Sequence, residues 1–290
     1  MVGANRPEAG ANLRTEAVMA SWTLDDIPWH AFDRAKVAPD LIAIVKAASM
    51  VEYNAGDYVT YLKNVFADDV RFTRAAEGWG REEVQHGVAL ARWAKLADPS
   101  FDFETSFRRF KDGFRLPLEA TSSIRGSRTG ELIARCMVET GTSSYYSALA
   151  DSTEEPVLEA ICRRIAEDEF AHYALFHNHM RRYMKAERLN MVQRLRVALR
   201  RIAESEDDEL GYAFHAANNG DQPYDRKAAI RAYQQQAFSR YRDEHVRRGV
   251  GMILSAVGFA DNGPLARAMT WLTMALLRVK TRSSPARATA

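Results

Sequence analysis

Apolar residues recur every three or four positions along most of the chain, which is the spacing of one face of an α-helix. A clear early example follows Pro39, because proline suits the first turn of a helix. The apolar positions of that segment are Leu41, Ile42, Ile44, Val45, Ala48, Val51 and Ala55. We find no stretch in which apolar and polar residues alternate as in a half-buried strand. The pattern therefore predicts an all-α fold.

Breaks in this pattern divide the chain into four principal helices and several later ones. Asp68-Asp69 interrupts the first helix, and Asp98-Pro99 ends the second. The helices after the first are predicted over about 80–96, 129–150, 154–185, 189–206, 226–258 and 264–280. The long connection over 100–128 is typical of a ferritin-like four-helix bundle with a crossover between helices 2 and 3. We expect a loose segment over 1–20, the bundle over 21–185, and C-terminal helices packed on it over 186–290.

Charge adds little to this picture at the level of the whole chain. The sequence has 290 residues, 47% of them hydrophobic, and a formal net charge of +2. This balance does not indicate a nucleic-acid partner. Basic residues are nevertheless concentrated over 181–201, and an acidic stretch follows over 204–209. The basic stretch is either a solvated helix face or a docking surface for an acidic partner.

Cysteine content and apolar segments indicate the compartment. Cys136 and Cys162 lie on predicted helices, which favours buried free thiols and a reducing cytoplasm. The N-terminus lacks an apolar core of signal-peptide length. The apolar segment over 265–279 is interrupted by Arg267 and Arg278 and is short for a membrane span. We expect a cytoplasmic protein without a transmembrane segment, in which 265–279 is an amphipathic helix covering the bundle or a partner.

Two copies of a Glu-x-x-His pattern carry the candidate chemistry. They are Glu83 with His86 and Glu169 with His172, and residues three apart on a helix share a face. Two such pairs, plus one glutamate from each of two further helices, form the ligand set of di-iron and di-manganese carboxylate bundles. The further glutamates are Glu52 and Glu139, each about thirty residues before a pair. Any one of these residues alone would be interpreted as a solvated surface side chain, but the ordered set of six predicts a metal site.

Neighbouring polar residues are candidates for supporting roles. A metal-bound histidine usually donates its other N–H to a carboxylate. Glu82 and Asp168 directly precede the two ligand glutamates, and each either orients a histidine or is a surface acid. Thr142 follows Glu139 by one turn, where its hydroxyl either relays protons at the site or bonds back to the helix backbone.

Several of these motifs resemble those of soluble acyl-[acyl-carrier-protein] desaturases. The box Glu82-Glu83-Val84-Gln85-His86-Gly87 is similar to their Glu-Glu-x-x-His-Gly box. The segment over 165–172 is similar to their Ile-Ala-x-Asp-Glu-x-x-His box, and Glu139-Thr140-Gly141-Thr142 to their Glu-x-x-Thr. Glu52, followed six residues later by Tyr58, is similar to their first metal-bearing helix. The resemblance covers about residues 40–185, and Phe170-Ala171 departs from the charged pair usual in the family.

The resemblance implies a ferritin-like fold and a pair of iron ions (Fe2+/Fe3+), with manganese as an alternative at one position. It implies a role for Thr142 in dioxygen activation and a crossed pairing in which Asp168 orients His86 and Glu82 orients His172. The expected partners are dioxygen, an external electron donor such as a ferredoxin-like protein or flavin reductase, an acyl carrier protein, and a second copy in a homodimer. The implied ligands are Glu52, Glu83, His86, Glu139, Glu169 and His172.

Three functions from different classes are compatible with this ligand set. The first is a dioxygen-dependent desaturase acting on an acyl chain. The second is an oxygenase of the same fold, a hydroxylase or N-oxygenase, acting on a small metabolite. The third is a rubrerythrin-like or ferritin-like protein that reduces peroxide or handles iron. An apolar tunnel of acyl-chain length leading to the metal site would favour the first.

Overall fold

The computed structural model describes residues 22–204 and 208–282, and every regular element in these ranges is a helix. The all-α prediction is therefore confirmed for the described residues. The predicted loose segment, residues 1–20, lies outside them, as do residues 205–207 of the acidic stretch.

Three short 3-10 turns come first: Leu24–Asp26, Trp29–Ala31 and Arg34–Lys36. The α-helices are α1 Pro39–Tyr53, α2 Ala55–Val65, α3 Val70–Ala97, α4 Phe103–Gly113, α5 Arg128–Ala150, α6 Pro156–Glu187, α7 Met191–Glu204, α8 Asp208–Asn218, α9 Arg226–Phe238, α10 Asp243–Val257 and α11 Pro264–Arg282.

The helix α3 begins ten residues before the predicted start near residue 80. Asp69 causes this difference, because its side chain accepts a hydrogen bond from the Phe72 backbone N–H and caps the helix. Gly80 then lies in the helix interior, where it allows α2 to approach closely. A Cβ atom at Gly80 would lie 2.2 Å from Cγ2 of Val59. The glycine therefore marks a contact between helices and not the start of one.

The predicted helix over 226–258 is wrong, because the structure divides this segment into α9 and α10. α9 ends at Phe238, with Ser239 as its C-cap, and α10 begins at Asp243. The predicted first helix is likewise divided, at Asn54, into α1 and α2, and α4 and α8 lie where no helix was predicted. α4 lies within the connection over 100–128 and is capped by the Asp102 side chain, which accepts from the Thr105 N–H.

The principal helices pack as two pairs, α1 with α3 and α5 with α6, and α3 also contacts α6. The later helices cover this body: α8 packs on α1 and α4, α7 and α10 pack on α5, and α11 packs on α10. None of the described helices is long and apolar enough to cross a bilayer.

Two apolar clusters define the directions of the principal helices. The first cluster takes Ile44, Leu90, Leu149 and Ile161 from α1, α3, α5 and α6, and the second takes residues from α2 and from the other halves of α3, α5 and α6. Passing along the chain, α1–α2 and α6 run from the first cluster to the second, whereas α3 and α5 run the opposite way. Because α3 and α5 therefore run parallel, the chain needs the long connection between them to return to the starting end.

Gly87 fixes how closely α1 approaches α3. A Cβ atom at this position would lie 2.6 Å from the Tyr53 backbone nitrogen and 2.8 Å from the Ser49 carbonyl oxygen. These are backbone atoms, so neither can move aside without shifting the whole helix. The glycine lies one residue after His86, and Tyr53 one residue after Glu52. The close approach of the two helices therefore brings two candidate ligands together.

Candidate metal centre

The bundle brings all six predicted ligands to one place, between the two apolar clusters. Their ligand atoms form two groups, and within each group these atoms lie within 4.8 Å of one another. Glu83 and Glu169 belong to both groups, as bridging carboxylates would. All six side chains are buried. The first group is completed by Glu52 and His86, and the second by Glu139 and His172.

Distances within each group suit a cation at its centre. His86 Nδ1 lies 3.3 Å from Glu169 Oε1 and 3.8 Å from Glu52 Oε2. His172 Nδ1 lies 3.0 Å from Glu83 Oε1. Two ligand atoms that are each about 2.1 Å from one ion at a right angle lie about 3 Å apart. The two imidazole rings are 5.8 Å apart between centroids, so each can serve its own ion.

Carboxylates on the opposite helix fix the orientation of both histidine rings. Asp168 Oδ2 of α6 lies 2.9 Å from Nε2 of His86 on α3. Glu82 Oε2 of α3 lies 2.7 Å from Nε2 of His172 on α6. These contacts have the crossed arrangement expected from the sequence. The carboxylate beside each Nε2 favours a proton on that nitrogen, so each Nδ1 faces the other glutamates and is the atom available to a metal ion.

Buried polar atoms without hydrogen-bond partners give a test of whether a metal fits. Among the described residues, five ligand atoms of the site make no hydrogen bond although they are fully buried. Such atoms are rare in folded proteins, because each costs the full desolvation penalty of the group. Four carboxylates and two imidazoles suit Fe(II) or Mn(II), and one cation in each of the two groups would satisfy all five atoms. The atoms are Glu83 Oε1, His86 Nδ1, Glu139 Oε1, Glu169 Oε1 and His172 Nδ1.

The pKa shifts of the ligand residues indicate that some of them carry protons when no metal ion is bound. Burial, together with repulsion from neighbouring carboxylates, raises the pKa of Glu52 and of Glu139 well above the usual range. Burial opposes charging of His86 and His172, but their carboxylate partners outweigh it and raise the pKa of both. Burial likewise opposes ionisation of Glu169, but its proximity to His172 and His86 outweighs burial and lowers its pKa. Protons therefore balance part of the negative charge in the protein alone, and a cation would displace them.

Thr142 lies beside the site rather than only on its own helix. Its hydroxyl oxygen is 2.5 Å from Glu169 Oε2, against 3.3 Å from the carbonyl oxygens of Val138 and Glu139. A hydroxyl group donates only one proton, and the charged carboxylate of Glu169 is both the nearest and the strongest of the three acceptors. The side chain is half-buried. The Thr142 hydroxyl can therefore donate a hydrogen bond to Glu169, one of the two carboxylates that belong to both ligand groups.

Two aromatic residues of the site were missed by the sequence reasoning. The Tyr146 hydroxyl donates to Glu52 Oε1 at 2.5 Å, and the Trp22 indole N–H donates to Asp168 Oδ2 at 2.8 Å. Tyr146 lies seven residues after Glu139, two turns on along the same face, so helical spacing could have identified it. Trp22 also stacks on the His86 ring at 6.0 Å between centroids. It is far from every motif in sequence, and no local signal indicates its role.

A groove between α2 and α3 opens next to the site. It is lined by Gly56, Val59, Gly80 and Val84, with Arg81 and Glu77 also on its walls. Gly56 lies one turn after Glu52, and Val84 is adjacent to Glu83. A Cβ atom at Gly56 would meet nothing within 4 Å. The groove is therefore a surface feature close in sequence to Glu52 and Glu83, and none of the six ligands lines it.

A second cluster of acidic and histidine side chains, Asp151, Glu244 and His245, has a structural role instead. His245 Nε2 lies 3.0 Å from Asp151 Oδ2, and its Nδ1 accepts from the Arg242 backbone N–H at 3.1 Å. The Nε2 atom therefore joins α10 to the end of α5, and the Nδ1 atom caps the first turn of α10.

Neither a family model nor a curated protein matches this sequence. The geometry of the site and the motifs that it contains therefore carry the functional argument.

Proposed function

We propose that this protein is a dioxygen-dependent di-iron oxidoreductase. The observation that carries the proposal is the pair of four-residue ligand groups that share Glu83 and Glu169 in a buried site. Five unpartnered ligand atoms and two histidines, each oriented by a carboxylate at Nε2, support the same conclusion. The parallel course of α3 and α5, with a long connection between them, supports a ferritin-like topology.

The residues of the site would have different roles in binding the metal ions and in positioning protons. Glu52, Glu139, His86 and His172 would each hold one ion, and Glu83 and Glu169 would bridge the two. When bound, the two iron ions would supply the redox chemistry that reduces dioxygen. Glu82 and Asp168 would keep both imidazoles in place. Thr142 would hold a proton at Oγ1, 2.5 Å from Glu169, where it could be passed to the reacting oxygen.

Electrons would come from a separate protein, such as a ferredoxin-like donor or a flavin reductase. The sequence has two cysteines, Cys136 and Cys162, and both are buried free thiols on neighbouring helices. Burial raises the pKa of both thiols far above the usual value, so neither is suited to redox exchange.

The substrate we propose is an acyl chain that undergoes desaturation, as the motif resemblance implies. A carrier protein for such a chain would be acidic, and exposed arginines on α7 such as Arg196 and Arg200 could receive it. Oxygen insertion into a smaller metabolite is the second candidate. The groove between α2 and α3 favours it, because a small surface groove near the ligand-bearing helices suits a compact substrate better than a long acyl chain.

Metal content and product analysis test the proposal together. Protein expressed with iron should contain about two equivalents of iron per chain. Glu83→Ala and Glu169→Ala should each lose iron and activity while the helices persist by circular dichroism, because the apolar clusters hold the bundle. The fatty acids and small metabolites of an expressing host should then separate desaturation from oxygen insertion. Stoichiometric zinc at a single position, or turnover retained in either variant, would refute the proposal.

A further inference from the structure

The last helix, α11, has apolar side chains on two different faces. Its inner face packs against an apolar cluster on α10. Ala266 of this face is buried, and Met269 and Leu277 pack on the same cluster. This face accounts for the position of the helix, but it uses only part of its apolar residues.

The outer face of α11 is apolar and exposed. Trp271 is 74% exposed, and three leucines between 265 and 276 are each about half exposed. Leu265, Leu272 and Leu276 follow a spacing of seven and four residues, so they lie along one side of the helix. A tryptophan with three leucines grouped on one exposed face marks an interaction surface, because monomeric proteins rarely leave such a patch in water. We refer to the side chains of Leu265, Trp271, Leu272 and Leu276 together as the outer face of α11.

Charge around this face is strongly positive. Within the described residues 226–279 there are nine arginines and lysines against three acidic residues, Asp243, Glu244 and Asp261, a formal charge of +6. The whole chain carries only +2, so the remainder is acidic by the difference. No acidic residue follows Asp261 in the sequence. Exposed Arg267 lies one turn before Trp271 on α11, and both line a groove between α10 and α11 together with exposed Arg247 of α10.

We propose that the outer face of α11 docks on the surface of an anionic phospholipid bilayer. A helix with tryptophan and leucine on one face, flanked by arginine, lies in the interface plane with its apolar side among the headgroups. Each basic residue near an anionic leaflet adds to the attraction within a Debye length. A second copy of this chain fits the face less well, because two regions of charge +6 would repel each other across the contact. This inference does not depend on the metal site.

Vesicle sedimentation tests the proposal. The full chain should bind vesicles of phosphatidylcholine with about one-third phosphatidylserine, and bind pure phosphatidylcholine at least about tenfold more weakly. Trp271→Ser combined with Leu272→Ser and Leu276→Ser should weaken binding to the anionic vesicles by about tenfold or more. A matched control is Val192→Ser with Leu199→Ser, because these residues are exposed apolar side chains of α7 at 75% and 54%. The control should bind like the unaltered chain.

A second measurement separates lipid docking from self-association. Tryptophan emission should shift to shorter wavelength with anionic vesicles, and Trp271→Phe should remove most of that shift. Equal binding to neutral and anionic vesicles, or undiminished binding by the triple variant, would overturn the proposal. So would a dimer seen by light scattering that the triple variant abolishes, in a protein that binds no vesicles. Binding of an acidic carrier protein to this face without vesicle binding would also overturn it.

Discussion

Replacing Asp168 by alanine should weaken metal binding without removing a ligand. Asp168 accepts two buried hydrogen bonds, from His86 Nε2 at 2.9 Å and from the Trp22 indole nitrogen at 2.8 Å. Without the carboxylate, His86 can rotate or adopt the tautomer that presents a proton to the metal. Loss of such a partner typically lowers metal affinity by about 10–100-fold, or about 1.4–2.7 kcal/mol.

The same substitution should destabilise the metal-free protein. It leaves the Trp22 N–H buried without an acceptor, which costs about 1–3 kcal/mol. Glu82→Ala offers a comparison, because the Glu82 carboxylate lies 2.7 Å from His172 and accepts from no tryptophan. It should lower metal affinity by a similar factor but cost less stability. The order of the two variants in stability therefore follows from a single hydrogen bond.

Competition with a chelator of known affinity measures metal binding, and urea denaturation of the metal-free protein measures stability. The control is Glu167→Ala, since Glu167 is the exposed neighbour of Asp168 and has no contact with the site ligands. It should change neither quantity measurably. Unchanged metal affinity in Asp168→Ala, with the site loaded to the same stoichiometry, would refute the role given to this carboxylate.

Three further predictions follow from the packing and from the site. Gly87→Ala should lower the free energy of unfolding by about 2–3 kcal/mol, because the added methyl meets backbone atoms of α1. Gly141→Ala, whose Cβ would meet nothing within 4 Å, should instead stabilise by about 0.5–1 kcal/mol; urea denaturation measures both. The hydrogen bond from Lys46 holds the pKa of Asp98 at about 2. This pair should therefore add about 1 kcal/mol to the free energy of unfolding above pH 5, and the contribution should be lost as the pH falls through 2. Urea denaturation of Asp98→Asn and of the unaltered chain at a series of pH values measures it. Thr142→Val should lower turnover with unchanged iron content, and Thr142→Ser should restore it, as product formation per bound iron will show.

Each of these predictions can fail in a specific way. Equal effects of alanine at the two glycines would mean that α1 and α3 are not in backbone contact at Gly87. A stability difference for Asp98→Asn that is as large at pH 2 as at pH 7 would mean that charge is not its source. Full turnover in Thr142→Val would assign the hydroxyl to the helix backbone.

The candidate site could be predicted from the sequence wherever its residues repeat on one helix. Glu83 with His86 and Glu169 with His172 have the spacing of a shared face, and the structure brings them together. Spacing alone cannot show what approaches from elsewhere in the chain. Trp22 reaches Asp168 from 146 residues away, and its role became visible only in three dimensions.

The fold was predictable to the level of helices but not of all their ends. Asp69 was interpreted as a break, and it is in fact the cap from which α3 begins. Gly80 looked like a helix start, because its packing role against α2 depends on a residue distant in sequence. The division between α9 and α10 was missed because the turn at Ser239 contains neither glycine nor proline to signal it.

The crossed contacts between histidines and carboxylates have a mechanical consequence. His86 of α3 is bonded to Asp168 of α6, and His172 of α6 is bonded to Glu82 of α3. The two helix pairs are therefore joined by two reciprocal contacts. Sliding one pair by a single helical turn, about 5.4 Å, would break both contacts at the same time. The polar layer therefore sets the register between two halves whose apolar clusters alone would tolerate small shifts. In hydrogen exchange, the amides around His86 and His172 should open together rather than one helix at a time.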